Sequence, residues 1–322
     1  MKVLTIVVCA YNMENYLADC LDSFIVPQMD KLEVLIMNDG SKDRTEEIAN
    51  EYSTKYPDTF KTINKENGGW GSNINMSVDL ATGKYFKEVD ADDYVDSKVL
   101  EKLITRLSET DVDLYVTDHV YCYADGHTRE NKPDWAEYAG KTLKQSEVKE
   151  FYFPLWDACI KTDIVKANHK EIPTNTLYTD NLVVMHAIPF VETMSFDEGV
   201  LYHYRLGRDG QSMDENSLFK HYPDLLKVWK ETVNFYSDLP GEKKENIHVI
   251  AKMEYTYRIF MDYLIRLYSK DKKQMVKSMK EMDEILKRVD FLYKKMWKTK
   301  KIFLLRITGY RGASIINHYN NK

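Results

Sequence analysis

Four cysteines in 322 residues, at positions 9, 20, 122 and 159, are too few for a disulfide framework, and their spacings match no zinc-binding pattern. They read instead as reduced thiols packed as small apolar groups. Long apolar runs are missing too. The run over residues 3–10 follows Lys2 and passes into Tyr11-Asn12-Met13-Glu14 without a small-residue cleavage site, so it reads as a buried first strand rather than a signal peptide. No other stretch approaches the roughly 20 apolar residues that cross a bilayer. There is no internal repeat and no low-complexity tract. These absences leave a folded protein, expected in the cytoplasm.

The chain has enough apolar content, 43%, to bury a large core. Its net charge of -6 is unevenly divided: residues 241–322 hold 20 Lys+Arg against 9 Asp+Glu, so the tail is basic and the remainder strongly acidic. Apolar runs over residues 3–9, 32–37, 85–89 and 112–116 read as strands, each followed by a turn or acidic loop. Between them Tyr16, Leu17, Cys20, Leu21 and Phe24 recur at helical spacing, as do Leu100, Leu103, Ile104 and Leu107. This β-α-β order predicts a mostly parallel sheet covered on both faces, with ligands bound outside the carboxyl ends of its strands. Ala124-Asp125-Gly126 predicts a hairpin turn. Beyond Ser217 the periodicity is helical. The expected organisation is therefore an α/β domain over residues 1–216 and a helical appendage over 217–322.

Three segments carry chemistry. Lys84-Tyr85-Phe86-Lys87-Glu88-Val89-Asp90-Ala91-Asp92-Asp93 is a strand ending in three carboxylates within four residues. Like charges at that range repel, and a hard divalent cation such as Mg²⁺ or Mn²⁺, shared with substrate phosphates, would compensate them. Leu35-Ile36-Met37-Asn38-Asp39-Gly40-Ser41 is a second strand running into a carboxylate and a glycine. Asp39 there suits either a nucleobase N–H or a plain strand-to-helix turn capped by Ser41 or Asp43. Glu66-Asn67-Gly68-Gly69-Trp70-Gly71-Ser72-Asn73 places three glycines before a helix. It lacks the Lys-Ser/Thr ending of an ATP-binding loop, and it suits close backbone approach to a phosphate or sugar as well as an ordinary Ser72 cap.

Together these segments resemble the family 2 glycosyltransferases, inverting enzymes of the GT-A fold. The resemblance runs from about Leu4 to Met213. It rests on Val7-Val8-Cys9-Ala10-Tyr11-Asn12, Asn38-Asp39-Gly40-Ser41, Glu66-Asn67-Gly68-Gly69, Ala81-Thr82-Gly83-Lys84-Tyr85 and Val89-Asp90-Ala91-Asp92-Asp93-Tyr94, in that order. It implies nucleotide-sugar binding within 1–117 and an acceptor side within 118–216. Ala10, Tyr11 and Asn12 would then receive uracil, Asp39 would hydrogen-bond the base, and Asn67, Gly68 and Gly69 would approach the donor. Asp90 and Ala91 would lie near the ribose, and Asp92 would hold Mn²⁺ or Mg²⁺ against a UDP-sugar, with His203 as a second candidate ligand. Leu177-Tyr178-Thr179-Asp180-Asn181 resembles the family's acidic motif, which makes Asp180 the candidate base, although Thr179 stands where the family carries Glu. The segment Tyr202-His203-Tyr204-Arg205-Leu206-Gly207-Arg208-Asp209-Gly210-Gln211-Ser212 resembles the part that closes on the pyrophosphate, through Arg205, Arg208, Gln211 and Ser212.

The activity so implied is transfer of a hexose from a UDP-sugar to a hydroxyl of a glycan, glycoprotein or lipid-linked acceptor. The helical appendage resembles that of enzymes extending glycans on bacterial serine-rich adhesins. No nucleic-acid partner is expected. The basic, aromatic tail from Phe291 to Arg311 suits a peripheral membrane contact at the inner face or a protein partner. The competing readings are a nucleotide-sugar-binding protein without catalysis and a metal-dependent nucleotidyltransferase.

Overall fold

A computed structural model describes residues 1–207 and 211–320, and the side chains of these up to residue 318. Its contacts divide the chain into two units, Met1–Arg208 and Asp209–Lys322. In the first unit β1 (Leu4–Ala10), α1 (Leu17–Asp22), β2 (Leu32–Asn38), α2 (Thr45–Lys55), β3 (Phe60–Asn64), α3 (Trp70–Leu80) and β4 (Tyr85–Asp90) alternate regularly. There follow β5 (Tyr94–Val95), α4 (Ser97–Glu109), β6 (Leu114–Tyr123), β7 (Thr128–Glu130), β8 (Thr142–Lys144), β9 (Ala158–Lys161), α5 (Thr162–Asn168), α6 (Asp180–Ala187) and β10 (Thr193–Leu206).

Every residue of β1 and β2 is buried, as befits central parallel strands covered on both faces. α4 buries the stripe Leu100, Leu103, Ile104 and Leu107, and Asp96 caps it by accepting from the Lys98 and Val99 amides, both at 2.9 Å. The strand order β3-β2-β1-β4-β9-β6-β10-β5 gives one mixed sheet. The pairs β1/β2, β1/β4, β2/β3 and β6/β10 are parallel, while β9 enters antiparallel between β4 and β6.

Of the strands left unread in the sequence, β3 and β10 are the longest. β3 is only half-buried, so its apolar positions are few. β10 runs for 14 residues but is interrupted by register shifts around Asp197-Glu198-Gly199, where Asp197 accepts from the following two amides at 2.7 and 3.0 Å. The predicted hairpin turn is present, with the Gly126 amide donating to the Tyr123 carbonyl at 2.9 Å between β6 and β7.

The second unit is helical: α7 (Glu215–Asp238), α8 (Gly241–Lys244), α9 (Ile247–Arg266), α10 (Lys272–Leu286), α11 (Asp290–Met296), α12 (Lys300–Ile307) and α13 (Ala313–Asn320). Its core gathers Trp229, Tyr257, Phe260, Met279 and Met282, and the Trp229 indole donates to the Met282 carbonyl at 3.1 Å. A buried Asp283 carboxylate accepts from Arg306 at 2.7 Å and from Tyr257 at 2.5 Å, and also from Tyr310, which ties α9, α10 and α12 together.

Candidate active site

Register alone assembles most of the site. Ala10 of β1 pairs with Asn38 of β2, and Cys9 pairs with Asp90 of β4. Neighbouring strands lie about 4.8 Å apart, so the segments after β1, β2 and β4 emerge side by side at one rim of the sheet. The loops are stitched to each other. The Asn12 amide donates to Ser41 Oγ at 3.0 Å, Asn12 Oδ1 accepts from the Lys42 amide at 2.8 Å, and Asn12 takes the left-handed conformation, φ 55°, that this exchange requires. Tyr11 stands exposed beside them. With Gly40, Lys42, Lys65 and Asn67 it lines an open hollow of about 510 Å³.

Asp39 is buried, and its carboxylate organises the glycine loop. It accepts from the Gly68 and Gly69 amides at 3.0 and 2.8 Å and pairs with Lys65, while Asn67 donates to the Asp39 carbonyl at 2.9 Å. Gly69 sits at φ 78°, and a Cβ there would come within 3.0 Å of the Asn175 amide, so the loop backbone has no room for another residue. Lys65 also donates to Ser72 Oγ at 2.8 Å at the start of α3. Sequence reading missed Lys65; its one signal is its place at the end of an unread strand. Replacing Asp39 by Ala leaves a nearly buried ammonium and two loop amides uncompensated. It is expected to cost about 3 kcal/mol, visible as a melting midpoint lower by several degrees; an unchanged midpoint sinks this account of the loop.

At the end of β4 the carboxylates of Asp90, Asp92 and Asp93 lie close enough for one oxygen from each to fall within 4.8 Å of the others. Asp93 is an internal strut: it accepts from the Tyr202 hydroxyl at 2.6 Å and from the Arg205 amide at 2.7 Å. Burial, then Asp92 and Asp90, push its carboxyl well above the usual carboxylate range. Burial and Asp90 do the same to Glu88, which accepts from the Trp70 indole at 3.4 Å. Hard oxygen donors this close, with neighbours reluctant to ionise, fit a divalent cation of the Mg²⁺ or Mn²⁺ kind.

Across the rim, Arg205 donates to the Asp92 carbonyl at 3.1 Å and to Asp19 at 3.0 Å, and its guanidinium lies 4.7 Å from the centre of the Tyr94 ring. His203 stacks on Tyr94 with ring centres 4.6 Å apart, and its Nδ1 lies 3.7 Å from Cys122 Sγ; the carboxylate group forms without it. Asp180 opens α6, after Tyr178 turns the chain at φ 64°. Burial raises the Tyr204 hydroxyl, with the charges of Asp90, Asp93, Asp92 and Asp180 adding to it in that order. Arg208 lies outside the described residues. Gln211 and Ser212 belong to the second unit.

The sequence model described as Glycosyl transferase family 2 matches residues 5–163, which contain the rim loops and the acidic loop. A Mycoplasma pneumoniae protein named as an uncharacterised glycosyltransferase, the MG060 homolog, is 33% identical over 239 residues, covering 71% of this chain and 77% of that one. The chain belongs to glycosyl transferase family 2. EpsH of Bacillus subtilis (strain 168), named as a glycosyltransferase, is 27% identical over 215 residues; the match covers 63% of this chain and 60% of EpsH, so the chain spans about three fifths of that relative's length. Among solved structures, Staphylococcus aureus TarS 1–349 in complex with UDP-GlcNAc superposes with a TM-score of 0.67 at 20% identity, covering 99% of this chain and 92% of that one. The fold is thus that of the GT-A glycosyltransferases, and the helical C-terminal region belongs to the likeness.

Beneath the rim of this family 2 domain lies a layer the sequence did not reveal. Lys87 of β4 is fully buried, donates to the Trp156 carbonyl and lies 5.8 Å from the centre of the Tyr202 ring. Trp156 stacks on Tyr204 at 5.1 Å and meets the His119 ring edge-on at 5.9 Å. The His119 Nδ1 lies 2.8 Å from Asp157 Oδ2, while His119 Nε2 and the Trp156 indole nitrogen are buried with no hydrogen-bond partner among the described residues. Burial, opposed by His119, pushes the Asp157 carboxyl from 3.8 up to about 6.

A carboxyl raised in this way favours its neutral form in the fold. The stability it contributes is complete below pH 3.8 and is lost as pH rises through about 6. The protein is therefore expected to lose stability relative to Asp157→Asn between those values. Melting midpoints of the two proteins that run parallel across this range would exclude the effect.

Proposed function

We propose that the chain is an inverting hexosyltransferase. It moves galactose, glucose or an N-acetylated hexose from a UDP-sugar to a hydroxyl of a glycan, a glycoprotein such as a serine-rich adhesin, or a lipid-linked acceptor, in the cytoplasm. The observation that carries this reading is the close group of Asp90, Asp92 and Asp93 carboxylates at the end of β4, on the rim where the loops after β1 and β2 also emerge. In this reading Asp180, at the start of α6, supplies the base. The UDP-GlcNAc complex of TarS supports the donor class.

In this reading Tyr11, with Ala10 and Asn12, receives the uracil at the exposed end of β1. Asp39 sets the base side of the hollow while holding Asn67, Gly68 and Gly69 towards the donor. Asp90 and Ala91 flank the ribose. Asp92 is the principal metal ligand, and His203 is the weaker candidate, since its ring lies flat on Tyr94 with one nitrogen turned to Cys122. When bound there, a divalent cation would neutralise the charge growing on the departing diphosphate. Arg205 would add charge-assisted hydrogen bonds to the diphosphate, and the resemblance to the family names Arg208, Gln211 and Ser212 as further phosphate donors.

The acceptor oxygen forms a bond to the anomeric carbon as the bond to UDP breaks. The bonding pair leaves with the β-phosphate oxygen, and the acceptor proton passes to the Asp180 carboxylate. Attack opposite to the leaving group inverts the anomeric configuration. Screening UDP-sugars with Mn²⁺ or Mg²⁺ for UDP release, with and without acceptor hydroxyls, tests the reading. Release of pyrophosphate instead identifies a nucleotidyltransferase, and binding of UDP without turnover identifies a non-catalytic protein.

A further inference from the structure

The second unit carries a surface that donor chemistry does not use. Of ten exposed large apolar side chains among the described residues, five lie between residues 291 and 315: Phe291, Trp297, Phe303, Ile307 and Ile315. Exposed apolar groups concentrated in so short a stretch mark a contact site more often than chance scatter does. Ile307 follows Phe303 by one helical turn along α12, and Trp297, in the turn after α11, touches Phe303 with ring centres 6.1 Å apart, so three of the five form one stripe. From residue 291 to the C-terminus there are eight Lys+Arg and no Asp or Glu. Lys298, Lys300 and Arg311 are exposed around the stripe.

The stripe is held outward by design of the core below it. Arg306, beside Phe303 at i+3 on α12, is buried against Asp283, and its guanidinium lies over the Tyr293 ring at 4.0 Å and the Trp297 ring at 5.0 Å, while Ile302 and Leu305 face the core. With Arg306 fixed at 2.7 Å from that carboxylate, α12 cannot roll to bury Phe303 and Ile307 without breaking a buried ion pair.

We propose that this face of α12, with the turn at Trp297, docks on an anionic lipid bilayer. Aromatic and branched apolar side chains at the centre with lysines at the rim is the pattern that inserts to headgroup depth while the ammonium groups reach anionic phosphates. No described helix is long and apolar enough to cross a membrane, so the contact is peripheral. A protein partner fits less well, because lysine is depleted at protein interfaces. A second copy fits less well again: a twofold contact centred on this stripe sets the lysine-rich rim against itself. A soluble polyanion accounts for the lysines and leaves Ile307 without a role. The proposal is independent of the donor, the metal and the mechanism assigned above.

The test is flotation of the full chain with vesicles of phosphatidylcholine alone and of phosphatidylcholine with a third phosphatidylglycerol. Binding is expected only to the anionic vesicles and is expected to weaken with salt. Lys298→Gln with Lys300→Gln should lower the partition coefficient about thirtyfold, roughly fivefold per cation. Phe303→Ser with Ile307→Ser should abolish binding although the charge is unchanged, and Trp297 fluorescence, isolated by difference against Trp297→Phe, should shift to the blue on vesicles. Circular dichroism of each variant separates a lost surface from a lost fold. Equal binding to both vesicle types, binding insensitive to the Phe303/Ile307 pair, or a concentration-dependent dimer that the same pair disrupts would each overturn the proposal. So would capture by polyphosphate with no flotation. None of these outcomes bears on UDP release, so failure here is distinguishable from failure of the enzymatic reading.

Discussion

Asp92→Ala is expected to abolish metal-dependent transfer, lowering turnover by at least about a thousandfold. Stabilisation of a leaving diphosphate by a bound cation is worth several kcal/mol, and each 1.36 kcal/mol is about a factor of ten in rate. A general defect in folding would imitate the loss, but the electrostatics supply a second signature. Asp92 is one of the charges that push Asp93 well above the usual carboxylate range, after burial itself. Removing that charge with the isosteric Asp92→Asn relieves repulsion in metal-free protein, so its melting midpoint is expected to equal or exceed that of the parent while transfer is lost. In the parent, added Mn²⁺ should raise the midpoint by mass action, and in Asp92→Asn that rise should be smaller. A variant that keeps full turnover in Mn²⁺ would remove Asp92 from the site.

Asp180→Asn is expected to separate binding from chemistry. A positioned base contributes about a hundred- to ten-thousand-fold, so kcat should fall by that factor while KM for the UDP-sugar stays near the parent value. The separation follows from where Asp180 sits. It heads α6, a chain segment distinct from the β1, β2 and β4 loops that would hold the nucleotide. Losing Asp92 should hurt at least as much as losing Asp180. Normal turnover in Asp180→Asn refutes the base assignment, and a parallel loss of UDP binding would make Asp180 a donor-site residue instead.

How much of this was legible beforehand depended on whether the determining interactions were local. β1, β2, β4 and α4 were readable because continuous apolar runs and a 3.6-residue stripe are encoded within a few consecutive residues. β3 and β10 were not. The first presents little apolar surface, and the second is broken by Asp197-Glu198-Gly199, where a local turn of hydrogen bonds interrupts a strand that its neighbours β5, β6 and β8 keep in line. The acidic loop was visible as a motif, but the division of labour inside it was not. That Asp93 braces the rim while Asp90 and Asp92 stand beside it follows from Tyr202 and Arg205, more than 100 residues away in the chain.

The same holds for Asp39, whose hold on the glycine loop runs through Lys65, and for the His119, Asp157 and Trp156 layer beneath Tyr204. What the amino-acid order determined by itself was the alternation of strands and helices, the placing of acids and glycines at strand ends, and a series of motifs specific enough to mark family 2. What only the tertiary structure decided was which carboxylates face one another, which are spent on bracing, and which apolar groups remain outside. Those outcomes depend on through-space distances and on burial. Burial strengthens each charge–charge interaction and each unmet hydrogen bond, and a one-dimensional sequence records neither quantity.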